Sequence, residues 1–237
     1  MNLKYDILEL TREYGRSGKR DIRGWVETHK YCYGLGYLVF FLAAFFVTER
    51  LVVPKYMISC PVDEWIPFHE YFVIPYLMWF LLLPASWFYT MITSKEDFQN
   101  LCMMMFGGMT ISIVIYWLFP NGLDLRPESP GSGVCGELVR LIQAVDTPGN
   151  VCPSIHVSSS LSVAAAAHGS QALRKYPWLR RGIDLIVCGI CLSTMFLKQH
   201  SLVDVVCGCL VTAGMAAAVY GLPWRTWMKG TWMEFFL

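Results

Sequence analysis

Residues 101–120 read LCMMMFGGMTISIVIYWLFP, with no Asp, Glu, Lys, Arg or His. A helix needs about 20 apolar residues to cross the roughly 30 Å hydrocarbon core of a bilayer. In lipid every backbone N–H and C=O must be satisfied within the protein, so only helices and closed barrels span. This run does not alternate polar with apolar residues, so it reads as a helix. Similar runs lie on both sides of it, at about 31–52 and 66–93 before and about 154–173, 182–197 and 201–222 after. The runs at 154–173 and 182–197 are shorter and less oily. Their Ser, Ala and Gly content suits close helix packing inside a bundle. The sequence predicts an all-α polytopic membrane protein, a six-transmembrane-helix bundle.

Composition points the same way. The chain has 237 residues, 55% of them hydrophobic and 16% charged, and a mean hydropathy of +0.42. Soluble domains carry about 25% charge. A net charge of +1 gives no basis for a nucleic-acid partner. The first 30 residues have mixed charge and lack a continuous apolar core, so no cleavable leader is expected. Leu3, Ile7, Leu8 and Leu10 among Lys4, Arg12 and Arg16 suit a helix lying on an anionic leaflet, or a solvated tail. The expected organisation is a cytoplasmic or interfacial segment (1–30), a six-helix membrane catalytic domain (31–223) and an interfacial tail (224–237) with Trp224, Trp227 and Trp232.

Most of the 19 Lys and Arg fall on one side if both termini are cytoplasmic; only Arg50, Lys55, Arg126, Arg140 and Lys198 fall on the other. Positive charge marks cytoplasmic segments. The loop between runs three and four, and the turn between runs five and six, therefore face away from the cytoplasm. That brings Arg126, His156, Lys198 and His200 to one extracytoplasmic face. Cys188-x-x-Cys191 resembles a metal or redox pair, but it lies in an apolar run with no second pair in a polar loop, and reads as small membrane-helix residues. A Cys135–Cys152 disulfide is open to the loop cysteines. His69-Glu70 reads as an interfacial pair, and His168 as structural.

The chemistry concentrates in Ser193-Thr-Met-Phe-Leu-Lys-Gln-His-Ser-Leu-Val-Asp204. His200 and Asp204 are four apart and share a helix face. A carboxylate on one imidazole nitrogen fixes the tautomer and makes the other more basic, fit to act as nucleophile or base. The same spacing also serves two polar residues capping a membrane helix. Pro153-Ser154-Ile155-His156 opens another helix, with Pro in the first turn and free N–H groups that favour anions. Arg126-Pro127 places a guanidinium outside run three, where it can clamp phosphate or anchor a headgroup. Lys198 offers a second cation beside His200. Such a set suits phosphoryl transfer. One His attacks phosphorus, the other protonates the leaving alkoxide, and cations and helix N–H groups hold the oxygens. Asp204 is the one carboxylate expected there, so neither a metal nor any other cofactor is called for.

These pieces resemble the type 2 phosphatidic acid phosphatase superfamily. Arg126-Pro127 matches the end of its Lys-x6-Arg-Pro motif. Pro153-Ser154-Ile155-His156 matches Pro-Ser-Gly-His, and Ser193-x6-His200-x3-Asp204 matches Ser-Arg-x5-His-x3-Asp. The resemblance covers runs three to six. It implies His200 as nucleophile, Asp204 as its partner, His156 as general acid, and Arg126, Ser154 and Ser193 as phosphate binders. The family's Lys, Arg and Gly positions hold Phe119, Thr194 and Ile155. Lys198 is the natural substitute for the two missing cations. Their loss is similar to the branch that includes inositol phosphorylceramide synthase and sphingomyelin synthase, which transfer a phospho-headgroup to a lipid alcohol. The expected activity is metal-independent cleavage of a lipid phosphate ester through a phosphohistidine. Headgroup transfer to a diacylglycerol- or ceramide-like alcohol stands beside it, and a non-catalytic lipid-binding or transport protein stands third. The expected partners are the lipid substrate and the bilayer. Neither the lipid nor the oligomeric state follows from the sequence.

Overall fold

A computed structural model describes residues 29–237. The segment expected over 1–30 thus lies outside the described residues except for its last two positions. After a 3-10 turn over Lys30–Leu35, the helices are α1 (Gly36–Leu51), α2 (Pro61–Trp65), α3 (Val73–Thr93), α4 (Lys95–Leu118), α5 (Gly133–Val145), α6 (Ile155–Gly169), α7 (Pro177–Phe196), α8 (Leu202–Gly221) and α9 (Trp224–Met228). Lys30–Leu51, Glu70–Thr93, Lys95–Leu118 and Leu202–Gly221 are long and apolar enough to cross a membrane. They correspond to runs one, two, three and six. The fold is an all-α helical bundle consistent with a multi-pass membrane protein. Large apolar side chains also face outward, among them Val39, Leu81, Leu118 and Leu210.

Local sequence sets the helix ends. Ser94 alone separates α3 from α4, and its hydroxyl caps α4 by accepting the Asp97 N–H at 3.2 Å. Glu96 and Asp97 add negative charge at that N-terminus, where the helix dipole favours it. Pro177 starts α7. Helix α5 is amphipathic, with Gly136 and Val139 buried and Val134, Leu141 and Val145 exposed.

Helix α6 is the centre of the bundle and packs against α3, α4, α7 and α8, while α1 lies on α4. Its small side chains make this packing close. Ser158, Ser159, Ser160, Ser162, Ala166 and Ala167 are all buried. The buried hydroxyls need partners. Ser159 and Ser162 bond back to the Ile155 and Ser158 carbonyls, and Trp79 Nε1 donates to Ser159 Oγ at 2.8 Å. Across the α6–α8 contact, Thr212 donates to the Ser158 carbonyl, and Gly208 lets the helices approach near Ser154 and Val157. The tail folds back on the other end. Trp224, Met228 and Phe236 are buried in the main apolar cluster, and Arg225 donates to Asn100.

The loops at one end are tied together. Strands β1 (Tyr56–Met57) and β2 (Asn121–Gly122) pair in parallel, which joins the α1–α2 loop to the α4–α5 loop. Asn121 is fully buried and holds the segment before α6. Its Oδ1 accepts the Val151 and Cys152 N–H groups, and its Nδ2 donates to the Cys152 carbonyl.

Candidate active site

The N-termini of α6 and α8 meet at this loop-bearing end. Ser154 caps α6, accepting the Val157 N–H at 3.3 Å, and its own N–H donates to the Asp204 carbonyl at 3.1 Å. Ser201 caps α8 in a capping box: its hydroxyl accepts the Val203 N–H, and Asp204 Oδ2 accepts the Ser201 N–H at 2.9 Å. The sequence Ser201-Leu-Val-Asp204 is what such a box requires. It fixes a fully buried carboxylate one turn into the helix.

From Asp204 a line of polar groups crosses the bundle end. Asp204 Oδ2 stands 3.4 Å from His200 Nδ1. His200 Nε2 stands 3.4 Å from His156 Nδ1. His156 Nε2 stands 3.0 Å from the Tyr76 hydroxyl, which in turn donates to Asp146 Oδ2 at 3.2 Å. The His156 ring lies between Trp79 and Tyr76, with ring centroids 4.6 and 4.8 Å away. Chemically, this is a pair of facing imidazoles with a carboxylate at each end, groups that can exchange protons.

Arg126 lies beside the line. It donates to the carbonyls of Asp146 at 2.8 Å and Thr147 at 3.2 Å, and to Gln199 Oε1 at 2.6 Å, one residue before His200. Burial lowers its pKa from the ordinary guanidinium value, against the pull of Asp146, Tyr76 and Glu49. Burial also pushes the Asp146 carboxyl above the usual range, although His200, Arg126 and the Tyr76 bond draw it down.

The remaining expected residues stand apart from the line. Lys198 Nζ donates to the Asp63 carbonyl at 2.5 Å. The backbone of Lys198 is left-handed, with φ of 56°, at the turn between α7 and α8. Ser193 is fully buried, with its hydroxyl bonded to the Ile190 carbonyl at 2.6 Å, and Thr194 bonds Cys191 in the same way. The Thr194 carbonyl accepts the His200 N–H at 3.0 Å, so this stretch holds the His200 backbone. Phe119 stacks on Tyr56 with ring centroids 4.3 Å apart. His168 pairs with Asp184 at 3.0 Å on an exposed part of the bundle. Cys135 and Cys152 are both free thiols.

Sequence reasoning missed Tyr76, Asp146, Gln199 and Asp63. Asp204 was expected to be the one carboxylate of the site; Asp146 is a second. Asp63 is buried and staples the start of α8. Its Oδ2 accepts from the Ser201 hydroxyl at 2.6 Å and the Cys60 N–H at 2.7 Å, and its Oδ1 from the Leu202 N–H at 2.8 Å. Burial alone would raise the Asp63 carboxyl, but the bonds from Ser201, Leu202 and Cys60 outweigh it and hold it below the ordinary value. The one advance signal for Asp63 was Pro61-Val-Asp63, acid at the third position of a Pro-started turn. Nothing in the sequence marks Tyr76. Among the described residues, no group of three His, Cys, Asp or Glu is arranged to hold a metal ion.

The chain matches no family model, no curated protein and no solved structure.

Proposed function

We propose that the chain is a polytopic membrane enzyme of the type 2 phosphatidic acid phosphatase kind, cleaving a lipid phosphate ester through a phosphohistidine. The observation that carries this reading is the Asp204–His200–His156 line at two converging helix N-termini. A carboxylate behind one imidazole and a second imidazole before it is the arrangement that nucleophilic attack with acid assistance needs. All six apolar runs cross the bilayer in this reading. Helix α6, with 15 residues, rises about 22 Å and lies sheltered inside the bundle. In this reading the positively charged termini are cytoplasmic and the site faces the extracytoplasmic side.

The test uses the purified, reconstituted protein. With phosphatidic acid as substrate, quenching should trap an acid-labile phosphoryl group on wild-type protein and none on His200→Ala, while His156→Ala should cut turnover by about 10²-fold or more. Normal turnover by His200→Ala refutes the reading.

The thin supply of cations favours a second reading, headgroup transfer from a phosphodiester to a lipid alcohol. The family's basic positions hold Phe119 and Thr194, and Lys198 is turned to Asp63. A monoester carries a charge of about −1.5 to −2 at neutral pH, a diester about −1, so one arginine balances a diester better. Supplying diacylglycerol or ceramide with a phosphodiester donor, and looking for a new phospholipid against free phosphate, separates the two.

A further inference from the structure

We propose that Asp146 and Tyr76 form a proton relay to His156, the Asp146 carboxyl recharging the acid at His156 Nδ1 through the Tyr76 hydroxyl. The relay rests on the phosphoryl-transfer reading above and adds two positioning residues outside the three motifs that suggested it.

The argument starts from one buried proton. Tyr76 is 1% exposed, and its hydroxyl lies between His156 Nε2 at 3.0 Å and Asp146 Oδ2 at 3.2 Å. A hydroxyl donates one proton and accepts on its oxygen. It therefore gives to one neighbour and takes from the other, which leaves two consistent arrangements. In one, Asp146 is ionised and accepts from Tyr76. His156 then donates from Nε2 to the Tyr76 oxygen, its Nδ1 is bare, and a doubly protonated His200 donates to it. In the other, Asp146 holds the proton and donates to Tyr76, and Tyr76 donates to His156 Nε2. The Nδ1–H of His156 then points at a bare His200 Nε2. The two hold the same number of protons and interconvert by hops along the line.

The second arrangement is the one the chemistry needs: a bare nucleophile on His200 and an acid on His156. It requires Asp146 to carry a proton. The groups facing Asp146 are Tyr76 from α3, Arg126 from the loop after β2, His200 from the turn before α8, and Glu49 from α1. Burial raises the Asp146 carboxyl above its ordinary value against the first three of these, and the Tyr76 hydroxyl 3.2 Å away gives its proton a partner.

The cycle balances. The His200 Nε2 lone pair forms the N–P bond as the P–O bond breaks, and that bond's electron pair stays on the departing oxygen. The oxygen takes the proton from His156 Nδ1. His156 Nε2 takes the Tyr76 proton, and the Tyr76 oxygen takes the Asp146 proton, leaving a carboxylate. Attack by water, or by a lipid alcohol, runs the protons back. The acceptor's proton goes to His156 Nδ1, the Nε2 proton returns to Tyr76, and the Tyr76 proton returns to Asp146. The N–P electron pair returns to His200, whose Nδ1–H stays with Asp204 throughout.

A relay to the acid matters for an alkoxide leaving group and far less for a nitrophenolate, which leaves without a proton. The experiment compares phosphatidic acid with p-nitrophenyl phosphate, using reconstituted wild-type, Tyr76→Phe and Asp146→Asn proteins. Each variant should lose on the order of 10²-fold more turnover of phosphatidic acid than of p-nitrophenyl phosphate, the share a general acid supplies. Tyr76→Phe keeps the ring that packs on His156, so it decides the matter if Asp146→Asn fails to fold. Equal losses on both esters, or a loss on phosphatidic acid below tenfold, overturn the relay and leave the enzyme reading standing. Wild-type protein that turns over neither ester refutes that reading and the relay with it.

Discussion

Removing the Asp63 carboxylate tests whether the His200–Asp204 stretch is held from outside its own helix. Asp63 is 2% exposed and accepts three hydrogen bonds, from Ser201 Oγ, the Leu202 N–H and the Cys60 N–H. Two of these donors sit at the start of α8, next to His200 and one turn before Asp204. Hydrogen bonds to a charged group contribute roughly 1.5–3 kcal/mol each, and an unsatisfied buried donor costs about 1–3 kcal/mol. Loop relaxation and water return part of this, so Asp63→Ala should cost about 3–5 kcal/mol, near the value for breaking a buried charged contact. At roughly 2–4 °C per kcal/mol, the melting midpoint in detergent should fall by about 6–20 °C. Asp63→Asn can keep its oxygen toward Ser201 and Cys60 and lose only Leu202, so it should cost roughly a third as much. Because the folded-state carboxyl is held below its ordinary value, its contribution is present above about pH 4 and is lost as pH falls through the folded pKa. Wild-type protein should therefore lose more stability than Asp63→Asn between about pH 5 and pH 3. An Asp63→Ala protein that melts with the wild type, or an identical acid profile for Asp63→Asn, refutes the staple.

Asn121→Ala removes the side chain that satisfies two backbone N–H groups and one carbonyl before α6, and should destabilise by about 2–4 kcal/mol in the same melt. A Cβ at Gly208 would stand 2.9 Å from the Ser154 carbonyl oxygen and 3.0 Å from Val157. Gly208→Ala should thus cost about 1–3 kcal/mol by overpacking and, by parting the two helix N-termini, lower turnover more than it lowers the melting midpoint. Vanadate should bind wild-type protein and raise its melting midpoint, and should raise that of Arg126→Ala far less. Equal protection of both removes Arg126 from the anion site.

The legible part of the site was the part written locally. The four-residue spacing of His200 and Asp204 reads as a shared helix face; in the structure His200 lies in the turn before α8 and meets Asp204 at the helix N-terminus, which Ser201-Leu-Val-Asp204 closes as a capping box. Pro153-Ser154 marks the start of α6 for the same reason. Each of the six apolar runs holds a long helix, and four of these are long and apolar enough to cross a membrane. What was not legible depends on how helices pack. Tyr76 sits on an oily helix among other aromatics, and its hydroxyl matters only because α3 lies against α6. Asp146 ends α5 in a loop of several charges, and nothing local separates it from Glu137, which pairs with Arg140 instead. Lys198 shows the reverse relation between sequence and packing. Nearness in sequence to His200 suggested a shared pocket, but the left-handed turn at Lys198 sends the ammonium to the α1–α3 connection.

The two arrangements of the line carry the same net charge: an ionised Asp146 goes with a doubly protonated His200, and a protonated Asp146 with a neutral one. The hop therefore does not change how strongly the line as a whole attracts an anion. It does decide reactivity, because only the arrangement with a protonated Asp146 has a bare His200 Nε2. Arg126 is suited to exchange an acceptor for an anion's oxygen. Its present acceptors are backbone carbonyls and the Gln199 amide, all neutral, and its Nε has no acceptor among the described residues. A phosphate oxygen replacing Gln199 would turn a neutral bond into a charge-assisted one, roughly twice as strong. Releasing Gln199, the residue before His200, also loosens the neighbour of the one ring in the line with only long contacts, 3.4 Å on either side. His156 is pinned between Trp79 and Tyr76. In the proposed phosphoryl-transfer reading, the room a phosphoryl group needs between the two imidazoles therefore opens on the His200 side.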